Sequence, residues 1–311
     1  MKFLRSAVLI IIVLLIGSAL AYSAPCFSKV VVFGDSNVDS GAESEYSLFH
    51  LTYGYIPGGS NADGRSCNGP VVVEYVADML GVPLENYGIG GATTGETNLV
   101  WSLTQAFPDV QYSGVLHQIQ WFEDALWRKR ADKRALYIYW AGSNDLYGAT
   151  PEDLTPRIDA ALVNIETALT RLVELGARHI LVATRTARPD YSDQDNINGV
   201  IFNARLRVHI MQLNEKNRSN IQIFEAFDLI SDMTYNPEVY GFIETTDQCI
   251  LNDDCITNPE TSDTYIVWDY PHKTTRVHEI MAEILVLQAL NMKGNNGLCS
   301  SRRWKRSKYA D

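Results

Sequence analysis

The chain has 311 residues, of which 46% are hydrophobic and 20% are charged, and this composition excludes a wholly disordered protein. Its length fits one large globular domain or two small ones. The formal net charge of −11 argues against nucleic acid as a partner of this acidic chain.

The first segment has the pattern of a secretory signal peptide. Lys2 and Arg5 precede an uncharged run that ends in small residues, which predicts a signal over residues 1–24. The alternative is an uncleaved membrane anchor, but the strongly apolar part, residues 7–16, is short against the roughly 20 residues of a spanning helix. We therefore expect cleavage and a secreted protein, periplasmic or extracellular.

Over residues 25–293, strand-like and helix-like patterns alternate, without a Pro/Ser-rich linker or an internal repeat. Short apolar, β-rich runs predict strands at 29–33, 135–140, 179–184 and 221–224. Apolar residues at helical spacing predict helices at 69–82, at 158–173 with Gly176 as the stop, near 202–213 and near 274–290. This alternation predicts an α/β domain with a parallel sheet covered on both faces.

The five cysteines are interpreted in the light of export, because disulfides persist outside the cytosol. Cys249 and Cys255 lie close together in a polar segment, and their spacing favours a local disulfide. The pairing of Cys26, Cys67 and Cys299 stays open, and the odd total leaves at least one thiol free or intermolecular. The histidines are scattered and no CxxC or HExxH motif occurs, so no metal site is predicted.

The tail, residues 294–311, is basic, whereas the rest of the chain is acidic. It could make a peripheral contact with anionic lipid or another polyanion. A solvated, disordered end is the interpretation that the charge run favours.

Two polar residues follow predicted strands. Ser36 lies in the stretch "KVVVFGDSNVDSG" directly after the first strand, and Asn144 follows the strand that ends at Trp140. Ligands of parallel α/β sheets gather at the carboxyl ends of the strands. We therefore expect both residues on one rim of the sheet.

A serine hydroxyl needs a base within hydrogen-bond reach to act as a nucleophile. Asp269 and His272, three residues apart before the last predicted helix, could supply that base and its orienting carboxylate. The glycine-rich stretch 86–96 and the Asn144 amide could stabilise an oxyanion. Each pattern alone also has a structural explanation, as a helix cap, a turn or a structural histidine.

In combination, the patterns resemble the GDSL esterases and lipases of the SGNH hydrolase superfamily. Four blocks appear in the order typical of that family: "FGDSNVDSG" with Ser36, "NYGIGGATT" with Gly91, "WAGSND" with Asn144, and "WDYPHKTT" with Asp269 and His272. The segment "GRSCNGPVVVEYVADMLGVP" looks like the secreted bacterial lipase and acyltransferase branch. The resemblance covers about residues 28–293. It implies a three-layer α/β/α domain of flavodoxin-like type, with no metal and no organic cofactor.

The resemblance also implies roles for the motif residues. Ser36 would be the nucleophile and His272 its general base and later general acid, with Asp269 orienting the imidazole. The oxyanion donors would be the N–H of Ser36, the N–H of Gly91 and the side-chain amide of Asn144. By position alone, neighbouring Gly90 is an alternative to Gly91.

Two positions depart from the pattern of the family. Asn37 stands where leucine is usual after Gly-Asp-Ser, and Lys273 stands where proline is usual after the catalytic histidine. His278 is a second histidine nearby, which we expect to face the helix surface or to pack structurally rather than to act as the base.

The expected function is that of a secreted serine esterase that hydrolyses carboxylic esters through an acyl-serine intermediate. Its substrates would be lipids, lysophospholipids or short acyl esters. Two alternatives stay open: a polysaccharide O-deacetylase or acyltransferase with the same site residues, and a non-catalytic surface-binding protein. The loop between Cys249 and Cys255 could be a lid over the site or a tied-down surface loop.

Overall fold

The computed structural model describes residues 26–55, 62–189 and 193–292. The predicted signal peptide, the basic tail and Cys299 lie outside these residues. Among the described residues, no helix combines the length and the apolar character needed to cross a membrane.

The centre of the fold is one parallel sheet of five strands in the order β2-β1-β3-β4-β5. The middle strands β1 and β3 are buried along their whole length, which explains their almost uninterrupted apolar sequences. The strands are β1 (Val30–Gly34), β2 (Leu84–Asn86), β3 (Leu136–Trp140), β4 (His179–Ala183) and β5 (Ile221–Phe224).

Helices cover both faces of this sheet. The α-helices are α1 (Leu48–Leu51), α2 (Val72–Leu80), α3 (Leu99–Thr104), α4 (Val115–Leu126), α5 (Leu154–Leu175), α6 (Asp193–Asn217), α7 (Ala226–Tyr235), α8 (Pro237–Tyr240), α9 (Asp253–Thr257), α10 (Pro259–Ser262) and α11 (Thr275–Met292). Short 3₁₀ turns occur at Gly41–Glu43, Ala62–Gly64, Pro108–Val110 and Cys249–Leu251.

Alternate side chains of β1 pack into two separate hydrophobic cores, one on each face of the sheet. Val30 and Val32 of β1 pack with α2, α7 and α11 on one face, whereas Val31 and Phe33 pack with α4, α5 and α6 on the other. This arrangement follows from the two-residue side-chain period of a strand. The predicted three-layer α/β/α fold with a flavodoxin-like strand order is confirmed.

The predicted strands and helices correspond to elements of the structure, with two kinds of omission. Strand β2 carried no prediction, because three residues at a sheet edge, two of them only partly buried, leave no readable pattern. Helices α1, α3, α4 and α7 to α10 were also not anticipated. Helix α5 ends where predicted, at Gly176, whose φ of +114° and N–H bonds to the carbonyls of Leu172 and Val173 close the last turn.

The structure joins Cys249 and Cys255 in a disulfide, with their Cα atoms 5.3 Å apart, as the spacing indicated. Cys26 is also disulfide-bonded. Cys67 is a free, buried thiol whose Sγ donates to the carbonyl of Gly69 at 2.9 Å. Burial raises the pKa of the Cys67 thiol to about 12, so it stays protonated at neutral pH.

Candidate active site

Ser36 lies at the carboxyl end of β1 on a backbone that neighbouring groups hold tightly. The side-chain amide of Gln118, in α4, makes two hydrogen bonds with the backbone of Gly34. It accepts from the Gly34 N–H at 2.8 Å and donates to the Gly34 carbonyl at 2.9 Å. A Cβ at Gly34 would lie 2.2 Å from the carbonyl oxygen of Trp140, so only glycine fits. The strand therefore delivers Ser36 to the rim in a fixed position.

A continuous chain of hydrogen bonds joins the three predicted triad residues. His272 Nε2 lies 2.9 Å from Ser36 Oγ, and His272 Nδ1 lies 2.6 Å from Asp269 Oδ1. The backbone N–H of His272 also donates to the same carboxylate oxygen, at 3.1 Å. The side chains of His272 and Asp269 keep 20% and 18% exposure, so the pair is accessible from solvent.

The predicted oxyanion donors line one cavity together with the triad. This cavity, which we call the rim cavity, has a volume of about 300 Å³ and is lined by Ser36, Gly91, Asn144 and His272 among others. Within the described residues, the N–H groups of Ser36 and Gly91 donate to no protein acceptor. One amide hydrogen of Asn144 is held by the carbonyl of Ala92, at 2.9 Å, and the second is left for a ligand.

The structure distinguishes between the two candidate glycines. The N–H of Gly90 donates to Asp39 Oδ2 at 2.7 Å, so it is already engaged. Gly91 has a φ of +79°, and a Cβ there would lie 2.4 Å from Asn98 Oδ1. Gly91 is therefore the glycine whose N–H remains available.

Asp39 organises the glycine-rich loop, and sequence reasoning did not single it out. Its carboxylate accepts from the N–H groups of Gly41, Leu48 and Gly90 at 3.0, 2.9 and 2.7 Å. Burial raises the pKa of Asp39 to about 6, against the lowering effect of these three donors. In the sequence, the one feature that could have indicated Asp39 is its position in the block "FGDSNVDSG", three residues after Ser36.

A second buried side chain holds the same loop from the other side. Asn98 Nδ2 donates to the carbonyl of Gly90 at 2.9 Å, and Asn98 Oδ1 accepts from the N–H of Val100, at 2.8 Å, as the cap of α3. The loop between β2 and α3 is thus fixed by side chains on both sides before any ligand binds.

The unusual Asn37 has a defined partner. Its backbone N–H and its side-chain amide donate to Asp35 Oδ1 at 3.0 and 2.7 Å. Burial raises the pKa of Asp35 to about 6, and the bonds from Asn37 oppose this shift. Leucine at this position could not make the side-chain bond.

Neither Lys273 nor His278 is placed to act as the general base. The buried Lys273 donates through Nζ to the carbonyl of Pro271 at 3.1 Å. His278 Nδ1 accepts from the N–H of Val72 at 3.2 Å, which fastens α11 to α2. Burial lowers the pKa of His278 to about 3, so it is neutral and structural. Of the two expected placements, the structure has the packed one, because His278 is buried and does not face the helix surface.

The lining of the rim cavity contains both apolar and polar side chains. Four apolar side chains, which we call the apolar wall, are those of Leu48, Leu99, Val100 and Leu103. Arg188, which sequence reasoning missed, also lines the cavity. Arg188 follows β4, so the rule that sites form at strand ends would have pointed to its loop.

The disulfide loop does not line the rim cavity among the residues described there. Instead, the N–H groups of Cys249 and Ile250 donate to the carbonyls of Val267 and Trp268, each at 3.0 Å. The loop thus braces the segment that leads directly to Asp269, and the tied-down interpretation fits better than the lid.

Within residues 26–55, 62–189 and 193–292, no three His, Cys, Asp or Glu side chains are placed to hold a metal ion. The chemistry that the described residues can support by themselves is a nucleophilic attack by Ser36 with proton transfer to His272.

Comparison with known proteins agrees with this chemistry. A model of the GDSL-like Lipase/Acylhydrolase family matches residues 30–285. The thermolabile hemolysin of Vibrio parahaemolyticus is 25% identical over 85% of this chain, which spans 64% of the hemolysin's length. A GDSL esterase/lipase of Arabidopsis thaliana is 24% identical over 84% of this chain and 79% of that protein.

Among solved structures, the acetylxylan esterase Axe2 of Geobacillus stearothermophilus is 16% identical, with a TM-score of 0.45 over 86% of this chain and 96% of that one. A likeness at this level says nothing about a shared substrate. The family match covers nearly all of the described chain and includes the residues of the rim cavity. The chain belongs to the GDSL-like lipase/acylhydrolase family of carboxylic ester hydrolases.

Proposed function

We propose that this protein is a serine esterase that cleaves carboxylic esters with Ser36 as nucleophile, His272 as general base and Asp269 as the group that orients it. The observation that carries the proposal is the hydrogen-bond chain from Ser36 Oγ through the His272 ring to Asp269, with links of 2.9 and 2.6 Å. Both distances are within the reach that proton transfer requires.

In the first half of the reaction, Ser36 Oγ attacks the ester carbonyl carbon while His272 Nε2 takes the hydroxyl proton. The carbonyl oxygen becomes an oxyanion, which the N–H groups of Ser36 and Gly91 and the second amide hydrogen of Asn144 stabilise. His272 then gives its proton to the departing alkoxide, the bond to the alcohol breaks, and an acyl-serine remains.

In the second half, water replaces the alcohol. His272 takes a proton from the water as it attacks the acyl carbon, and the oxyanion forms again against the same donors. Collapse of this intermediate breaks the bond to Ser36 Oγ, which recovers its proton from His272, and the carboxylic acid is released. The reactants are the ester and water, and the described residues provide the nucleophile, the acid–base group and the oxyanion donors that these steps use.

The apolar wall of the rim cavity supports esters with a hydrocarbon acyl chain, from short acyl esters to lipids and lysophospholipids. Leu48, Leu99, Val100 and Leu103 supply this wall beside Ser36. The disulfide between Cys249 and Cys255 supports a protein that works outside the cytosol, after export by the predicted signal.

The test is hydrolysis of a nitrophenyl ester series from acetyl to palmitoyl, with a lysophospholipid as second substrate. The purified mature protein is compared with Ser36→Ala. We expect the wild type to cleave these esters and Ser36→Ala to cleave none of them. The acyl-chain length that is hydrolysed fastest should indicate how long a hydrocarbon chain the apolar wall accommodates. Equal cleavage by both proteins, or no cleavage by a folded wild type, would reject the proposal.

A further inference from the structure

Two segments beside the rim cavity are almost free of charge. Residues 47–55 and 97–118 contain one aspartate, Asp109, and no lysine or arginine, whereas 20% of the whole chain is charged. They are nevertheless surface segments, because Tyr53, Tyr55 and Leu103 are 85%, 61% and 63% exposed. Large apolar side chains that are exposed together indicate an interaction surface.

Contacts between the two segments make them one surface. The Tyr53 hydroxyl donates to Asp109 Oδ2 at 2.7 Å, and the ring centroids of Tyr55 and Phe107 lie 5.6 Å apart. Both segments also contribute to one small hydrophobic core, which includes Leu48, Leu51, Val100, Trp101, Phe107 and Val110. We call the solvent side of these segments the mouth surface and define it by Tyr53, Tyr55, Leu103 and Phe107.

The mouth surface borders the rim cavity through helix α3. No residue of this helix is buried. Its residues Leu99, Val100 and Leu103 line the cavity, and the exposed Leu103 belongs to the mouth surface as well. Tyr147 and Tyr270, from two other loops, also line the cavity and are 42% and 47% exposed. The cavity therefore opens among exposed apolar and aromatic side chains.

The composition of the mouth surface favours lipid as its partner. Tyrosine combines an apolar ring with a polar hydroxyl, which suits the boundary between lipid headgroups and acyl chains. Since residues 47–55 and 97–118 contain no lysine or arginine, these segments supply no attraction to an anionic surface. The exposed Leu103 can contact acyl chains but has no side-chain group that could hydrogen-bond a sugar.

We propose that the mouth surface adsorbs to aggregates of zwitterionic lipid and so holds the opening of the rim cavity against the lipid. An acyl chain can then pass from the aggregate along Leu103 to the apolar wall with little exposure to water, which lowers the free-energy cost of removing it from the aggregate. This consequence for turnover rests on the proposed function. The adsorption itself does not need Ser36.

The test measures adsorption without hydrolysis, in the mature Ser36→Ala protein. Cosedimentation with phosphatidylcholine vesicles gives a partition coefficient, and vesicles that also contain phosphatidylglycerol report any contribution of charge. We expect binding to phosphatidylcholine that added salt does not weaken, because salt screens charges and not apolar contacts. Binding that requires phosphatidylglycerol and is lost in salt would assign the contact to the basic tail, residues 294–311, and overturn the inference.

A variant of the mouth surface adds a second criterion. With Tyr53→Ser and Tyr55→Ser added to Ser36→Ala, the partition coefficient on phosphatidylcholine should fall by about 10-fold, the effect of removing two partly inserted rings from the lipid. Equal binding by the variant and by the Ser36→Ala protein contradicts the inference.

Trp127→Ser in the same Ser36→Ala background is the matched control. Trp127 is 79% exposed, but it follows α4 and precedes β3, at the end of the sheet opposite the rim. Its replacement should leave the partition coefficient unchanged, and melting temperatures show that both variants are folded. An equal loss of binding in Trp127→Ser would mean that adsorption is not specific to the mouth surface, and would overturn the inference.

Two further measurements separate other occupants and the proposed function. Insoluble xylan tests a polysaccharide partner, and sedimentation velocity tests a second copy of the chain; either result without binding to phosphatidylcholine overturns the inference. Hydrolysis of nitrophenyl acetate, a monomeric ester, by the wild type reports the proposed function. Adsorption without hydrolysis rejects that function and supports the mouth surface, whereas hydrolysis without adsorption does the reverse.

Discussion

The two halves of the candidate site are held in place in different ways. The oxyanion half depends on buried side chains from distant parts of the chain: Asp39 and Asn98 hold the glycine-rich loop, and Gln118 holds the strand before Ser36. The base half is local, because Asp269 and His272 are three residues apart and bond to each other. Replacing Asp39, Asn98 or Gln118 should therefore lower stability and turnover together, whereas replacing Asp269 or His272 should affect chemistry alone.

The largest expected effect is on turnover, from Ser36→Ala and His272→Ala. Each should lower kcat by about 10⁴-fold or more, since Ser36 carries the hydroxyl that is hydrogen-bonded to His272 Nε2, and no second histidine is among the described residues that line the rim cavity. Their melting temperatures should match the wild type, because both side chains are partly exposed. Ester hydrolysis and thermal unfolding of the same samples provide the check. A variant with near-normal kcat would remove its residue from the mechanism.

The oxyanion half should respond differently to Asp39→Ala. Three backbone N–H donors lose their buried acceptor, so the free energy of unfolding should fall by about 3 to 5 kcal/mol, together with turnover. Asp39→Asn is the control, because one amide oxygen can still accept from two of the donors. Urea unfolding measures the difference. If Asp39→Ala lowers turnover without lowering stability, the contrast between the two halves is wrong.

The base half has one long-range support, the disulfide loop behind it. Replacing both Cys249 and Cys255 by alanine should cost about 2 kcal/mol, the entropy effect of so short a closed loop. Leu251→Ala, an exposed position within the same loop, should change stability by less than about 0.5 kcal/mol. Chemical unfolding curves test both. A double variant as stable as the wild type would show that the loop is held without its disulfide.

The last expected effect, similar in size to that of the disulfide, concerns pH. His278 has a pKa of about 3 when folded and an ordinary value of 6.5, so the unfolded chain gains a proton first as pH falls. Stability from this group is complete above pH 6.5 and decreases below it, by about 2 kcal/mol at pH 5. In His278→Asn, the loss between pH 7 and pH 5 should shrink by that amount.

The variant is needed to isolate this contribution, because two buried carboxylates act in the opposite direction. Asp35 and Asp39, with pKa values raised to about 6, bind protons in the folded state first, so they add stability as pH falls from 6 toward 4. Unfolding of both proteins at several pH values gives the difference. Identical pH dependence in wild type and His278→Asn would mean that His278 is not neutral when folded.

The parts of the site that could be predicted from the sequence share one property. Ser36 and Asn144 each lie in a contiguous motif after a predicted strand, Gly91 lies in a glycine-rich motif that the family resemblance singled out, and Asp269 and His272 lie within one short segment. In a parallel sheet, position after a strand already determines position on the rim. The α/β/α fold was predictable for the same reason, since long apolar strands and helices alternate along the chain.

The parts that could not be predicted are fixed by tertiary contacts. Gln118 lies in a helix and contacts Gly34, from which it is separated by 84 residues. Asn98 acts on a loop whose geometry no motif describes, and Arg188 gains its place from the sheet order and from Asn196. Strand β2 is too short to show a pattern and is defined by its pairing with β1.

Ser36 and His272 are 236 residues apart in the chain, yet their side chains meet at the rim. Under the proposed mechanism, a ribosome completes nearly the whole domain before Ser36 has its base, and a product of synthesis or proteolysis that lacks either residue should hydrolyse no ester. During biosynthesis the chain should thus be inert toward the esters of the cell that makes it. Activity should begin only when the first and last parts of the domain have folded together.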